Sequence, residues 1–178
     1  MFKRRKKKIA DEDRTVSDIA RSRERTMNRA VRLLAAKPRS ISELRERLLE
    51  KSWTNHEVVD GVVGKLEEYK YLDDEQYARD LAVSKLRQRP QGKRRLKQSL
   101  SQKKLDKETV DRAMAAAFEK IPEVELIDQA IEKRIKLKGK PTSRDEMKKF
   151  CDHLLRRGFG YDLVISRMRD VGKFESDE

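Results

Sequence analysis

Five apolar positions recur along this chain at offsets of 52 and then 54 residues. Leu44, Leu96 and Phe150 correspond, as do Leu48, Leu100 and Leu154. Trp53, Leu105 and Phe159 follow in the same register, then Val58, Val110 and Val164, then Val62, Met114 and Met168. Composition alone does not produce such a register, which reads as a tandem array of three-helix units about fifty residues long. The expected fold is therefore all-α: three tandem three-helix repeats forming an elongated, curved modular array. The repeats are expected at 23–70, 71–121 and 122–172. A charged arm, disordered or partly helical, occupies 1–22, and an acidic tail occupies 173–178.

Helix boundaries are written in local chemistry. Ala30, Leu33 and Leu34 share a face of a first helix, which ends before Pro38. Ser40 with Glu43, Thr54 with Glu57, and Ser143 with Glu146 have capping-box spacing, in which side chains satisfy the free N–H groups of a first turn. Val58, Val62, Leu66 and Tyr69 make one apolar stripe. Asp73 and Gln76 open the next helix, Pro90-Gln91-Gly92 breaks it, and Asp106 starts another. Pro122 suits a first turn, Gly139-Lys140-Pro141 ends that helix, and Gly158 is a further stop. Units this small lie near the lower limit for independent folding, so each is expected to lean on its neighbour.

Apolar residues make up 36% of the chain, against about 45–50% in an average globular domain. That fits several thin seams better than one large core. The net charge of +13 points to a polyanionic partner, nucleic acid above all or an acidic protein surface. A single cysteine, Cys151, precludes an internal disulfide and fits a reducing, cytoplasmic setting. The basic cluster Lys3–Lys8 runs into Asp11–Asp13 where a secretion signal would carry its apolar core. No stretch approaches the roughly 18–20 apolar residues of a membrane span.

Catalytic chemistry has no visible foothold. His56 and His153 are isolated and read as surface polar residues, and Cys151 reads as a packed thiol. Asp73-Asp74 is better explained by helix capping than by a metal. There is no P-loop, no GxGxxG and no GxSxG. No catalytic residue, metal or cofactor is expected. Trp53, Tyr71, Tyr77, Phe118, Phe150 and Phe159 are assigned to the core, leaving Tyr69 and Tyr161 as the aromatics open to base stacking.

The stretch from Lys85 to Lys104 is different, because it carries nine Lys or Arg and no Asp or Glu. A solvated helix face normally mixes signs. Arg87, Arg89, Lys93, Arg94, Arg95, Lys97, Lys103 and Lys104 are therefore candidates for binding a polyanionic partner. The start of the helix at Lys93 would add its own partial positive charge. Lys133, Arg134, Lys136, Arg156 and Arg157 form a second basic zone in the third unit. Pairing of the first run with distant acids is the competing explanation.

YLDDEQYA at 71–78, together with the basic helix and its Leu96, Leu100, Leu105 spacing, resembles the RecX family of bacterial regulators of the RecA recombinase. RAVRLLAAKPRSISELRERLLEK at 29–51 and LLRRGFGYDLV at 154–164 are similar to that family's first and last units. The resemblance covers about 25–171. Lys70, Ser52 and Lys104 depart from it, standing where glycine is frequent. The resemblance implies an all-helical, three-repeat, non-enzymatic protein that binds the RecA–DNA filament along its helical groove. It also implies inhibition of strand exchange, ATP hydrolysis and co-protease activity, by limiting filament growth or promoting disassembly. That places the chain in DNA recombination, DNA repair and the SOS response, as a cytoplasmic monomer. RecA would be the main partner, and DNA, mostly single-stranded, an auxiliary one. The alternative is a direct DNA-binding protein that competes for single-stranded DNA.

Overall fold

A computed structural model describes residues 9–10, 12, 14 and 16–173. The basic cluster Lys3–Lys8 and the acidic residues after 173, on which the expectations for the two tails rest, lie outside them. Among the described residues there are nine helices and no strand. They are α1 (Ile19–Ala36), α2 (Ile41–Leu49), α3 (His56–Glu68), α4 (Asp74–Gln88), α5 (Lys93–Ser101), α6 (Lys107–Lys120), α7 (Glu123–Lys138), α8 (Arg144–Arg156) and α9 (Tyr161–Lys173). None is long and apolar enough to cross a membrane.

The chain divides into two compact units. The first comprises the residues up to Tyr77 together with Lys103–Leu105, and the second Ala78–Gln102 together with the residues from Asp106 onward.

In the first unit α1 starts at Ile19, ahead of the readable apolar period, because the Asp18 carboxylate accepts the Arg21 N–H. The capping box at Ser40 and Glu43 forms. The one expected at Thr54 and Glu57 does not. Asn55 caps α3 instead, accepting the Val58 N–H at 3.0 Å. Thr54 is fully buried, and its hydroxyl accepts a hydrogen bond from Thr26 at 2.9 Å. A buried hydroxyl needs a partner inside the protein, which makes Thr54 unavailable as a cap. The Arg14 guanidinium donates to the carbonyls of Leu49, Lys51 and Thr54, tying down the turn between α2 and α3.

The core of this unit is Ala30, Leu44, Leu48, Val59, Val62, Val63, Leu66 and Leu72. The expected stripe on α3 breaks at its end. Lys70 adopts a left-handed φ of 60°, Tyr71 N–H returns to Leu66 O at 2.8 Å and Lys70 N–H to Glu67 O at 3.0 Å. This reversal satisfies the last carbonyls of α3. It also turns Tyr69 and Tyr71 to solvent, 63% and 73% exposed, which takes Tyr69 off the expected stripe and corrects the core assignment of Tyr71. Leu72 enters the core in their place.

The turn Lys103–Leu105 is held on this unit by polar contacts. Ser40 Oγ donates to Lys103 O at 2.6 Å, and Lys103 Nζ lies 3.0 Å from Glu43 Oε1. The Tyr77 hydroxyl joins the pair; burial first, then the Glu43 charge, pushes its pKa up. The hydrogen bond to Glu43 likewise raises that of Lys103. Asp74 Oδ1 accepts the Ile41 N–H at 2.9 Å, so the α4 start caps α2 from outside.

In the second unit α5 packs on α6, and α7, α8 and α9 pack on one another. Leu96, Leu100, Val110, Phe150, Leu154, Phe159, Val164 and Met168 are all buried, whereas Met114 is half-buried, as is Leu105 in the first unit. Ala78, Ala82, Ala113 and Ala117 on α4 and α6 are also buried. Asp106 caps α6 by accepting the Thr109 N–H at 2.8 Å. Ser143 accepts the Glu146 N–H, but Glu146 reaches one residue further back than a capping box requires, to Thr142 N at 2.8 Å.

Candidate functional site

The second unit carries a backbone clasp that sets where its basic side chains stand. Gly92 N–H donates to Arg157 O at 3.0 Å, and Arg94 N–H donates to Gly158 O at 3.2 Å. A Cβ on Gly92 would lie 2.3 Å from Gly158 O, and one on Gly158 would lie 2.4 Å from Arg95 N. Gly158 also needs its left-handed φ of 88° to end α8. Only two residues without side chains allow the start of α5 to touch the end of α8 this closely.

The clasp also removes an expected feature. The first N–H groups of α5 do not face outward to an anion. Lys93 N–H donates to Glu123 Oε1 at 2.9 Å, and Arg94 N–H is taken by Gly158. The helix N-terminus is occupied from within the unit.

The basic run separates into two groups. Lys93 Nζ lies 3.6 Å from Glu123 Oε2 and 5.6 Å from the Phe118 ring centroid. Lys97 pairs with Asp111 at 2.8 Å, Lys103 with Glu43 at 3.0 Å, and Lys104 with Glu46. These four lysines have acids from distant parts of the sequence. Arg87 and Arg94 are exposed, and neither forms an ion pair with a described residue. In the other zone, Arg134 lies 4.9 Å from the centroid of the Phe150 ring, while Lys133 and Lys136 are exposed along α7.

Arg89, Arg95, Arg156 and Arg157 come together. With Lys85, Gln88, Gln91, Ser99 and His153 they line a cleft of about 450 Å³ within the second unit. No carboxylate is among its lining residues. Burial, then the charge of Arg89, lowers the pKa of Arg157. His153, read from sequence as an isolated surface residue, is half-buried in this wall. Burial lowers its pKa below the usual 6.5, with Arg134, Arg157, Arg156 and Arg89 adding to the effect.

Sequence reasoning missed Lys85 and His153 as members of the site. Their signal is the i, i+3, i+4 spacing of Lys85, Gln88 and Arg89, matched by His153, Arg156 and Arg157. Among the described residues no group of His, Cys, Asp or Glu could hold a metal. The Cys151 thiol is half-exposed, and burial, then Asp152, raises its pKa, the opposite of an activated nucleophile.

The family models for the first and second three-helix domains of RecX match residues 27–66 and 73–114. The regulatory protein RecX of Chlorobium limicola is 31% identical over 148 residues, covering 80% of this chain and 89% of that one. This chain belongs to the RecX family. The Bacillus subtilis RecX regulatory protein is 29% identical over 153 residues, and the matched stretch covers 85% of this chain and 56% of that relative's length. The crystal structure of RecX from Lactobacillus salivarius superposes with a TM-score of 0.74 at 21% identity, covering 86% of this chain and 98% of that one. At that identity the likeness speaks to the fold, and it agrees with the all-helical RecX architecture.

Proposed function

We propose that this protein binds the RecA–DNA filament and inhibits its recombinase, ATPase and co-protease activities by limiting filament growth or promoting disassembly. Membership of the RecX family of regulatory proteins is the observation that carries the reading. We read α7–α9 as a third copy of the three-helix unit, supported by Phe150, Leu154, Val164 and Met168 being buried at the repeating offset. Arg87, Arg89, Arg94, Arg95, Arg156 and Arg157 are the proposed filament contacts. Lys93, Lys97, Lys103 and Lys104 are assigned a smaller share, because binding would compete with the acids they already engage. A regulator of this kind shifts the filament only by its difference in affinity for the active and inactive states.

The test is single-strand-dependent ATP hydrolysis by RecA, with this protein well below one copy per RecA and with excess free single-stranded DNA in a parallel series. Inhibition that survives the excess is expected, and Arg94→Glu with Arg95→Glu should weaken it at least tenfold with the helical circular dichroism unchanged. Inhibition abolished by free DNA would instead favour simple competition for single strands.

A further inference from the structure

The outward face of α3 departs from the basic character of the chain. Between His56 and Tyr77 stand seven carboxylates, two lysines and no arginine. Glu57, Gly61, Gly64 and Glu68 follow one another at helical spacing, all exposed. The neighbouring acids are engaged: Glu43 with Lys103, Glu46 with Lys104, Glu50 with Arg47 and Asp60 with Arg45. Glu57, Glu67 and Glu68 form no ion pair with a described residue. A Cβ on Gly61 or Gly64 would meet no other part of the described chain within 4 Å. Glycine inside a helix is less stable than alanine, and nothing in the packing of this unit calls for either one. The face ends at Tyr69 and Tyr71, both turned to solvent.

The chain itself supplies a complement to this face. Six cations occupy Lys3–Lys8, with Met1 and Phe2 ahead of them. One guanidinium, that of Arg14, donates to the carbonyls of both Ile9, at 3.1 Å, and Thr54, at 3.0 Å. The basic segment therefore joins the described chain beside the start of α3. From Thr54 to Tyr69 a rise of about 1.5 Å per residue gives roughly 22 Å. The seven residues before Ile9, back to Phe2, extend to about 23 Å. A strand of that length, antiparallel to α3, brings its cations past Glu57, Glu67 and Glu68 and its apolar end to Tyr69 and Tyr71. Nucleic acid is repelled from the same face by those carboxylates.

We propose that residues 1–8 dock along this face of their own chain, with Lys3–Lys8 over the three glutamates and Met1 and Phe2 on the two tyrosines, and that a polyanion draws the segment off. The tyrosine rings offer the nearest cations a π face as well as an apolar seat for the end of the segment. Docked, the segment neutralises the face and is withheld from anions in solution. A multiply charged anion competes for the same lysines and arginines. Lys65 and Lys70 oppose the contact, and solvent screens it, so that it stays weak enough to release.

The contact is tested on the full chain, without RecA, by paramagnetic broadening of amide signals in nuclear magnetic resonance. A nitroxide is placed at Lys3→Cys in a Cys151→Ala background. The amides of Glu67–Leu72 are expected to broaden at low ionic strength, and high salt or tripolyphosphate should restore them. Glu57→Gln with Glu67→Gln and Glu68→Gln should reduce the broadening at least threefold. The charge-matched control Glu119→Gln with Glu125→Gln and Glu132→Gln, all exposed, should leave it in place. Tyr69→Ala with Tyr71→Ala should reduce it at least twofold.

Equal loss in the two triple variants, or broadening centred away from α3, would overturn the site in favour of a diffuse attraction. Full broadening in the tyrosine variant would remove those rings from it. Signals that stay broad under tripolyphosphate would overturn release by a polyanion. An isotope-labelled chain without nitroxide, mixed with unlabelled nitroxide-bearing chain, should show no broadening. Broadening there equal to that within one chain would overturn the contact in cis and assign the face to the basic segment of a second copy.

Discussion

Lys70 and Lys104 hold left-handed backbone, with φ of 60° and 58°. A residue with a Cβ gives up about 1–2 kcal/mol there. Glycine adopts this conformation without that cost, so both turns are glycine-like in backbone but carried by lysine. Lys70→Gly should therefore raise stability, by at most about 1 kcal/mol once the added freedom of the unfolded chain is subtracted. Gly158→Ala makes the opposite case. Its φ of 88° and the Arg95 backbone at 2.4 Å leave no room for a methyl. A loss of about 2–4 kcal/mol is expected, both changes being read by urea denaturation. The stop at Gly158 was legible in the sequence, because a glycine after an apolar helical period is a local signal. Its second duty against α5 was not, because close approach depends on residues far away in the chain.

At the scale of the element, α5 shows how far local reading extends. Its buried seam, Leu96 and Leu100, followed from spacing alone. The charge around it did not. The one-signed run looked unpaired because local pattern covers partners three or four residues away, whereas Glu43, Glu46, Asp111 and Glu123 arrive through tertiary folding. The same limit explains the caps. Ser40 and Asp106 were readable from their own first turns, but the first N–H of α5 is served by a carboxylate at the start of α7. Glu123→Gln should thus behave as a weakened cap, lowering stability by about 1 kcal/mol in thermal or urea melts, with the helical signal preserved at low temperature. An unchanged midpoint would mean that this contact carries no net free energy.

For the molecule as a whole, a charge of +13 draws polyanions from a distance, and salt weakens that pull. The five cations of the cleft are where such a field would find a fixed receptor. Millimolar pyrophosphate is expected to raise the melting temperature by about 2–4 °C, the shift that roughly 1 kcal/mol produces in a chain this long. The Arg89→Gln, Arg156→Gln variant should show none of that gain. The all-helical class and most buried positions were legible from the repeat, but the cleft was not, because it needs α4, α5 and α8 placed together by two glycines. Glu123 adds one more consequence. As a tethered carboxylate it meets the start of α5 at an effective concentration that dissolved ligands seldom reach. The rigid backbone donors are thereby closed to visitors, and recognition falls to long, adjustable side chains. Such a surface can adjust the spacing of its charges, which a helix N-terminus cannot.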